Sequence, residues 1–304
     1  MKPAYGKEGI RVKESIQDRM TLIVIYILLS IILLLVLYPL IFVVSASISD
    51  PLTVSRGEMW LFPKDLSFIG YELVFANKEI WTGYANTLLY TLVGTAINLV
   101  MTIFAAYPLS RKDFAGRNVI TAYIVFTMFF SGGLIPTYLL VKNLGMINTM
   151  WALIIPGAVS VWNIIIMRTF FQTSIPNEIQ ESASIDGCSN MQTLWRIVLP
   201  LSMPIIAVMI LFYSVGHWNS YFNALIYLND RDKYPLQLFL REILIKSQVD
   251  QMAGSMDLSV QKHLMEAEAI KYAIVIVANL PVLLLYPFLQ KYFVKGMMIG
   301  ALKG

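Results

Sequence analysis

Three acids crowd one short run, Glu178, Glu181 and Asp186 within EIQESASIDGCSNMQTLWRIVLP (178–200), and a histidine heads the stretch HWNSYFN (217–223). Carboxylates gathered at a membrane face are what acid–base work in a membrane enzyme would need. These three acids are the only candidates for it, and they read equally as the polar surface of a short helix. Metal chemistry finds still less support. Cys188 is the single cysteine, and His217 and His263 are the only histidines. That excludes an internal disulfide, a cysteine-rich metal site and a histidine cluster. No G-x-x-x-x-G-K-[ST] run is present, so the chain should not bind ATP.

The 217–223 stretch suggests binding rather than catalysis. His217, Asn219, Ser220 and Tyr221 offer donors and acceptors, Trp218 and Tyr221 offer ring faces, and Asn223 adds a second amide. Aromatic faces beside amides and hydroxyls are a common way to hold a sugar. Hydrogen bonding between spanning helices is the competing reading for the same residues.

The elements that must position these groups are apolar. The chain has 304 residues, 57% hydrophobic and 14% charged, with mean hydropathy +0.66, where a soluble domain would carry roughly 25% charged residues. A spanning helix needs about 20 mostly apolar residues. Six blocks qualify, at 21–45, 84–109, 119–141, 147–171, 201–228 and 270–290. The first is too long for the apolar core of a cleavable signal, which runs to about 15 residues. Breakers interrupt later blocks: Ser131-Gly132-Gly133 and Pro136, Pro156-Gly157, and Pro281 with Pro287. Packing kinks are the simpler account of them.

Lys and Arg in flanks and short loops set orientation. The N-terminal tail carries Lys2, Lys7, Arg11, Lys13 and Arg19; the loop after the second block carries Arg111, Lys112 and Arg117; the end carries Lys291, Lys295 and Lys303. Six spans put all three on one face, the cytoplasm, together with 172–200. The loops 46–83 and 229–269 then lie outside. In the second, Leu236, Phe239, Leu240, Ile243 and Leu244 share one helical face. The net charge of +4 thus reports orientation and gives no reason to expect nucleic acid.

No acid lies in the interior of any block, and Arg168 sits near an end where it can snorkel. A carrier driven by protons or sodium would keep such charges despite a cost of at least ~2.5–3.5 kcal/mol each. If the chain moves something against a gradient, the energy must come from elsewhere.

The 178–200 run is built for rigidity. Asn177 with Gln180 and Ser189 with Gln192 each have the spacing of a capping box. Gly187 suits a left-handed stop. Met191, Leu194, Trp195 and Val198 fall at helical spacing as an apolar stripe, and Pro200 marks the return to the membrane.

Glu181-Ser182-Ala183, three residues, Gly187, nine residues and Ile197-Val198-Leu199-Pro200 resemble the EAA loop of ATP-binding cassette importer permeases, departing only by Ser182 for alanine. Ile185-Asp186-Gly187, the pair Trp218-Asn219 and the ending QKYFVKGMMIGALKG (290–304) extend the likeness over nearly the whole chain. The sequence resembles the maltose-type carbohydrate importers, above all their lipoprotein-dependent oligosaccharide branch in Gram-positive bacteria.

The resemblance implies an all-α integral membrane protein with six transmembrane helices of the type I importer permease fold and cytoplasmic coupling helices. It implies a tail at 1–20, a permease domain at 21–292 with the EAA loop at 172–200, and a C-terminal tail at 293–304. Both termini would be cytoplasmic in the cell membrane. Glu181, Ala183, Asp186, Gly187, Leu199 and Pro200 would belong to the ATPase contact, with Glu181 facing a basic residue, Ala183 allowing close approach and Gly187 making the corner. Gly300 to Gly304 would reach the ATPase subunits. From their residue types, Trp218, Asn219, Tyr221 and Asn223 are the candidates to line the pathway, and in the family the outer loop meets the binding protein, which 250–255 would approach. The implied partners are a second permease subunit, an ATPase dimer, an extracellular solute-binding lipoprotein and a carbohydrate, with no cofactor and no metal. An importer of the same class for a non-sugar solute is the alternative. An ion-coupled carrier is disfavoured by the missing intramembrane acids.

Overall fold

The computed structural model describes residues 16–253, 267–285 and 287. The expectations for 300–304, for His263 and for the end of the 250–255 stretch fall outside the described residues. The chain divides into two compact units, residues 1–68 and 69–304.

The first unit is led by α1 (Ile16–Ser47), apolar all round with Pro39 inside it. A helix with no polar face needs lipid or protein on every side. Its residues from Ile16 to Leu40 are exposed within the chain. The helix closes on buried Ser45, Ala46 and Ser47, where the Ser45 hydroxyl donates to the Leu61 carbonyl at 2.7 Å. Asp50 then caps α2 (Pro51–Ser55), accepting from the N–H groups of Leu52 and Thr53.

The second unit runs α3 (Ile69–Ala76), α4 (Lys78–Ser110), α5 (Arg117–Phe129), α6 (Leu134–Asn143), α7 (Trp151–Ile154), α8 (Val161–Ser174), α9 (Asn177–Ile185), α10 (Asn190–Thr193), α11 (Leu199–Leu201), α12 (Met203–Trp218), α13 (Phe222–Tyr227) and α14 (Leu236–Ala253). A further helix, α15, covers Ala267–Leu285. No strand occurs among the described residues.

The apolar blocks appear as three unbroken helices, α1, α4 and α15, and three bent pairs, giving up to six spans if each pair is one. The axis turns by 109° between α5 and α6, by 51° between α7 and α8, and by 83° at Ser202, before α12. Each bend falls on a breaker. Gly133 takes φ +83° before α6, Pro156-Gly157 closes a tight 3₁₀ turn after α7, and Pro200 and Pro204 flank Ser202. Proline withholds the N–H that would continue the ladder. The fifth block is therefore not one helix: α12 ends at Trp218, and 219–221 separate it from α13.

α4, about 50 Å long at 1.5 Å per residue, serves as a ruler for the other elements. At its Lys78 end, Glu79 pairs with Arg231 at 2.8 Å, and Asn86 and Tyr90 donate to the carbonyls of Asp232 and Lys233. Lys233 reaches the Asn148 carbonyl at 3.0 Å, which places the α6–α7 connection at this end. At the other end, Arg168 donates to the Leu109 carbonyl. So α5–α6 climbs the length of α4 and α7–α8 returns along it. Helix α12 climbs again: Ile205 and Met209 join the core with Tyr107 and Leu109, whereas Trp218 packs with Ile80.

One face of α4 carries buried polar side chains at Thr87, Thr91, Thr95, Asn98 and Thr102, spaced at three and four residues as one helical stripe. Thr102 meets the Tyr213 hydroxyl at 2.6 Å, and Thr95 meets Ser214 at 3.3 Å. Thr87 accepts from the Leu236 N–H at 2.8 Å. Asn98 joins three elements: its Nδ2 donates to the Gly157 carbonyl at 2.6 Å, and its Oδ1 meets His217 Nε2 at 2.6 Å. Gly94 makes room for that histidine, since a Cβ there would stand 2.5 Å from Nε2.

Candidate functional site

Helix α9 ends in a built corner. The Cys188 N–H bonds back to the Ala183 carbonyl at 2.9 Å and the Gly187 N–H to Ser184 at 3.1 Å, the paired reverse bonds of a Schellman stop. Gly187 takes φ +74°, a conformation that favours glycine. Ser189 starts the next helix with a complete capping box to Gln192, as its spacing predicts. The other expected box does not form. Pro176 occupies the N-cap with no side-chain bond, and Asn177 is already helical, so its amide is past the position from which it could cap.

The apolar stripe expected at 191–198 is divided. Leu194 and Val198 are buried, but Met191 and Trp195 are 53% and 59% exposed. A π turn at Leu194–Val198 accompanies the division. It adds a residue to the turn just ahead of Pro200, which rotates side chains relative to α-helical spacing.

Of the expected contact residues, Glu181, Asp186, Gly187 and Pro200 are exposed. Ala183 is 4% exposed and Leu199 is also buried within this chain. Their small and apolar side chains pack within this chain and hold the segment on the bundle. The sequence reading missed Ile185, which is 86% exposed at the tip of α9.

A cleft of about 490 Å³ separates α9 from the α4–α5 loop, with Glu178, Glu181 and Ile185 on one wall and Arg111, Lys112 and Asp113 on the other. Arg111 is held in place by Asp113 through a two-pronged pair at 2.8 and 2.6 Å and by the Tyr107 hydroxyl. The hydrogen bond from Arg111 holds the Asp113 carboxyl below the usual carboxylate range. Glu178 and Glu181 have no side-chain partner among the described residues. The cleft thus presents two uncommitted carboxylates and an apolar tip beside a glycine corner.

At the Lys78 end of α4, the structure separates the four residues expected to line a pathway. Trp218 is 3% exposed, its indole N–H donates to the Ala278 carbonyl at 2.9 Å and its ring meets Tyr84 edge-on. Its ring is enclosed within the described core. His217 is committed to Asn98. Asn219 and Tyr221 are exposed and Asn223 half-buried, because the chain leaves its helix there. The face predicted for α14 is seen: Leu236, Phe239 and Leu240 are buried, and Ile243 and Leu244 pack against the same core. Leu238, outside the predicted face, is buried as well.

Known proteins carry the same plan. Residues 80–299 match the family described as "Binding-protein-dependent transport system inner membrane component". The chain is 43% identical to Protein LplC of Bacillus subtilis over 88% of its own length and 89% of that protein. It is 41% identical to the polygalacturonan/rhamnogalacturonan transport system permease protein YtcP of the same organism, over 95% and 100%. Among solved structures, it superposes at TM-score 0.82 and 35% identity on a chain of a bacterial ABC transporter involved in the import of the acidic polysaccharide alginate, covering 92% of this chain and 99% of that one. This membrane protein belongs to the binding-protein-dependent inner membrane components and is the permease subunit of a carbohydrate importer, not an enzyme.

Proposed function

We propose that α9 and the corner at Gly187 receive force from a separate ATPase and pass it to the bundle. The observation that carries this reading is an exposed helix with uncommitted Glu178 and Glu181, a protruding Ile185 and a rigid stop. Glu181 faces a basic residue of the motor, Ile185 enters an apolar groove, and Gly187 leaves space at the corner. Ala183, Leu199 and Pro200 hold this segment on the bundle, and Asp186 borders the contact. The cleft end of α4 then faces the cytoplasm with both chain termini, and the Lys78 end faces outward toward a solute-binding lipoprotein. The permease domain at 21–292 crosses the membrane six times and forms half of the pathway, with a second permease subunit supplying the other half.

The proposed cargo is an oligosaccharide. Two similar proteins are named for acidic polymers, polygalacturonan/rhamnogalacturonan and alginate, so fragments of such polymers lead the candidates. Asn219, Tyr221 and Asn223 meet the sugar on its way in.

The test is ATP hydrolysis by the reconstituted assembly, with the wild-type chain and with Gly187→Arg. Expected are co-purification of an ATPase and a second permease, stimulation by the sugar-loaded binding protein, and loss of that stimulation in the variant. Normal stimulation of Gly187→Arg would remove α9 from the coupling path.

A further inference from the structure

At the Lys78 end of α4, one half-buried cation has no counter-ion among the described residues. Arg241 on α14 places its guanidinium 5.5 Å from the centre of the Tyr221 ring, and Tyr221 is its only side-chain partner among the described residues. The carboxylates close by are engaged elsewhere: Glu242, next in the chain, and Glu79 both pair with Arg231, at 3.1 and 2.8 Å. One turn before Arg241, Gln237 directs its Nε2 at Asn219 Oδ1, 3.5 Å away. Asn219 itself is fixed by a 2.9 Å bond to the Val215 carbonyl. Leu236, Leu238, Phe239 and Leu240 are buried while Gln237 and Arg241 remain accessible, so α14 is anchored by its apolar residues and presents these two polar groups together. Tyr221 is 41% exposed beside them.

A cation over an aromatic ring is common, about one in 70–80 residues, and carries no function by itself. The combination here is more specific: a guanidinium without a carboxylate, a supporting ring and two side-chain amides on one accessible surface. A guanidinium offers a planar fork of donors that fits a carboxylate. Amides suit sugar hydroxyls because each carries both donors and an acceptor.

We propose that Arg241, with Tyr221, Gln237 and Asn219, forms a recognition site for the uronate units of an acidic oligosaccharide. Arg241 takes the sugar carboxylate, Tyr221 holds the guanidinium in position, and the two amides take ring hydroxyls. The proposal rests on the importer and cargo reading above and adds the residues that select an acidic cargo. A charge-assisted pair at this position discriminates an acid from its neutral ester, which apolar contacts do not.

The experiment is uptake kinetics in proteoliposomes holding the complete importer and its binding protein. The probes are trigalacturonate, trimannuronate, the methyl ester of each and neutral maltotriose. At least one acidic trisaccharide should be imported. Arg241→Gln should raise its KM about tenfold or more with kcat nearly unchanged, and leave the ester's KM where it was. Arg241→Lys should recover part of the loss, since the charge returns without the fork, and its uptake also shows that the chain has folded. An unchanged KM for the acid in both variants would overturn the proposal. So would an equal loss for acid and ester, which marks a packing residue, or import of neutral sugar alone, which leaves the carbohydrate importer intact. Stimulation by no carbohydrate at all would instead remove the importer reading and this site with it.

Discussion

Gly187 separates two effects that usually travel together. Its left-handed backbone disfavours any side chain, by about 1–2 kcal/mol, yet nothing among the described residues lies within 4 Å of a Cβ placed there. Gly187→Ala therefore carries the backbone cost alone, and Gly187→Arg adds bulk that only a partner can feel. The alanine variant should unfold a few degrees earlier and keep most of its binding-protein stimulation, while the arginine variant should keep assembly and lose stimulation. Equal loss in both would show that the corner acts through its backbone. Ile185→Ser should weaken co-purification of the ATPase without lowering the thermal midpoint, because the side chain is 86% exposed. Residues such as Gly187, Ser189 and Gln192 were legible in the sequence because a corner or a cap needs only a few residue types at fixed spacing. Ile185 and Arg241 were not, because exposure and a missing counter-ion are properties of the folded surface.

Helix α4 shows what a search for charges overlooks. Its stripe of Thr87, Thr91, Thr95, Asn98 and Thr102 lies inside an apolar block, and four of the five are neutral hydroxyls small enough to leave the block's hydropathy high. Hydrogen bonds between membrane helices average about 0.6 kcal/mol and reach about 1.7. Thr102→Val should therefore cost about 1 kcal/mol, seen as a modest fall in the thermal midpoint of the assembly. Asn98 answers the Gly157 carbonyl at the 3₁₀ break as well as His217, so Asn98→Leu should cost more than Thr102→Val. For His217, glutamine can keep a donor near Nε2 and asparagine is too short. His217→Gln should hold the midpoint near wild type and His217→Asn should lower it; equal effects would mean that the ring's volume, not its bond, is what matters. Helix breakers were plain in the sequence, but the size of each bend was not, since packing against α4 sets the angle. The π turn was hidden too, because no residue type announces an added residue in a turn.

For the whole molecule, hydrogen bonds along α4 order the passes without reference to a bilayer. The Arg111 loop and α9 share a cleft, and Asn148 and Lys233 meet at the opposite end. With Cys188→Ser as background, a cysteine at Ser184 or Lys112 should react with a membrane-impermeant thiol reagent only after the inner face is opened. A cysteine at Asp232 should react in intact cells, and the reverse pattern would invert the proposed orientation. The exposed apolar side chains of the proposed coupling segment also bear on the supply of subunits in the cell. A chain made in excess of its motor leaves Ile185, Met191 and Trp195 open to the proteases and chaperones that inspect unassembled proteins. Its lifetime then measures how well subunit synthesis is matched: co-expressed ATPase should prolong it, and Ile185→Ser should prolong that of the orphan alone. The residues proposed to transmit force would also report when no motor has arrived.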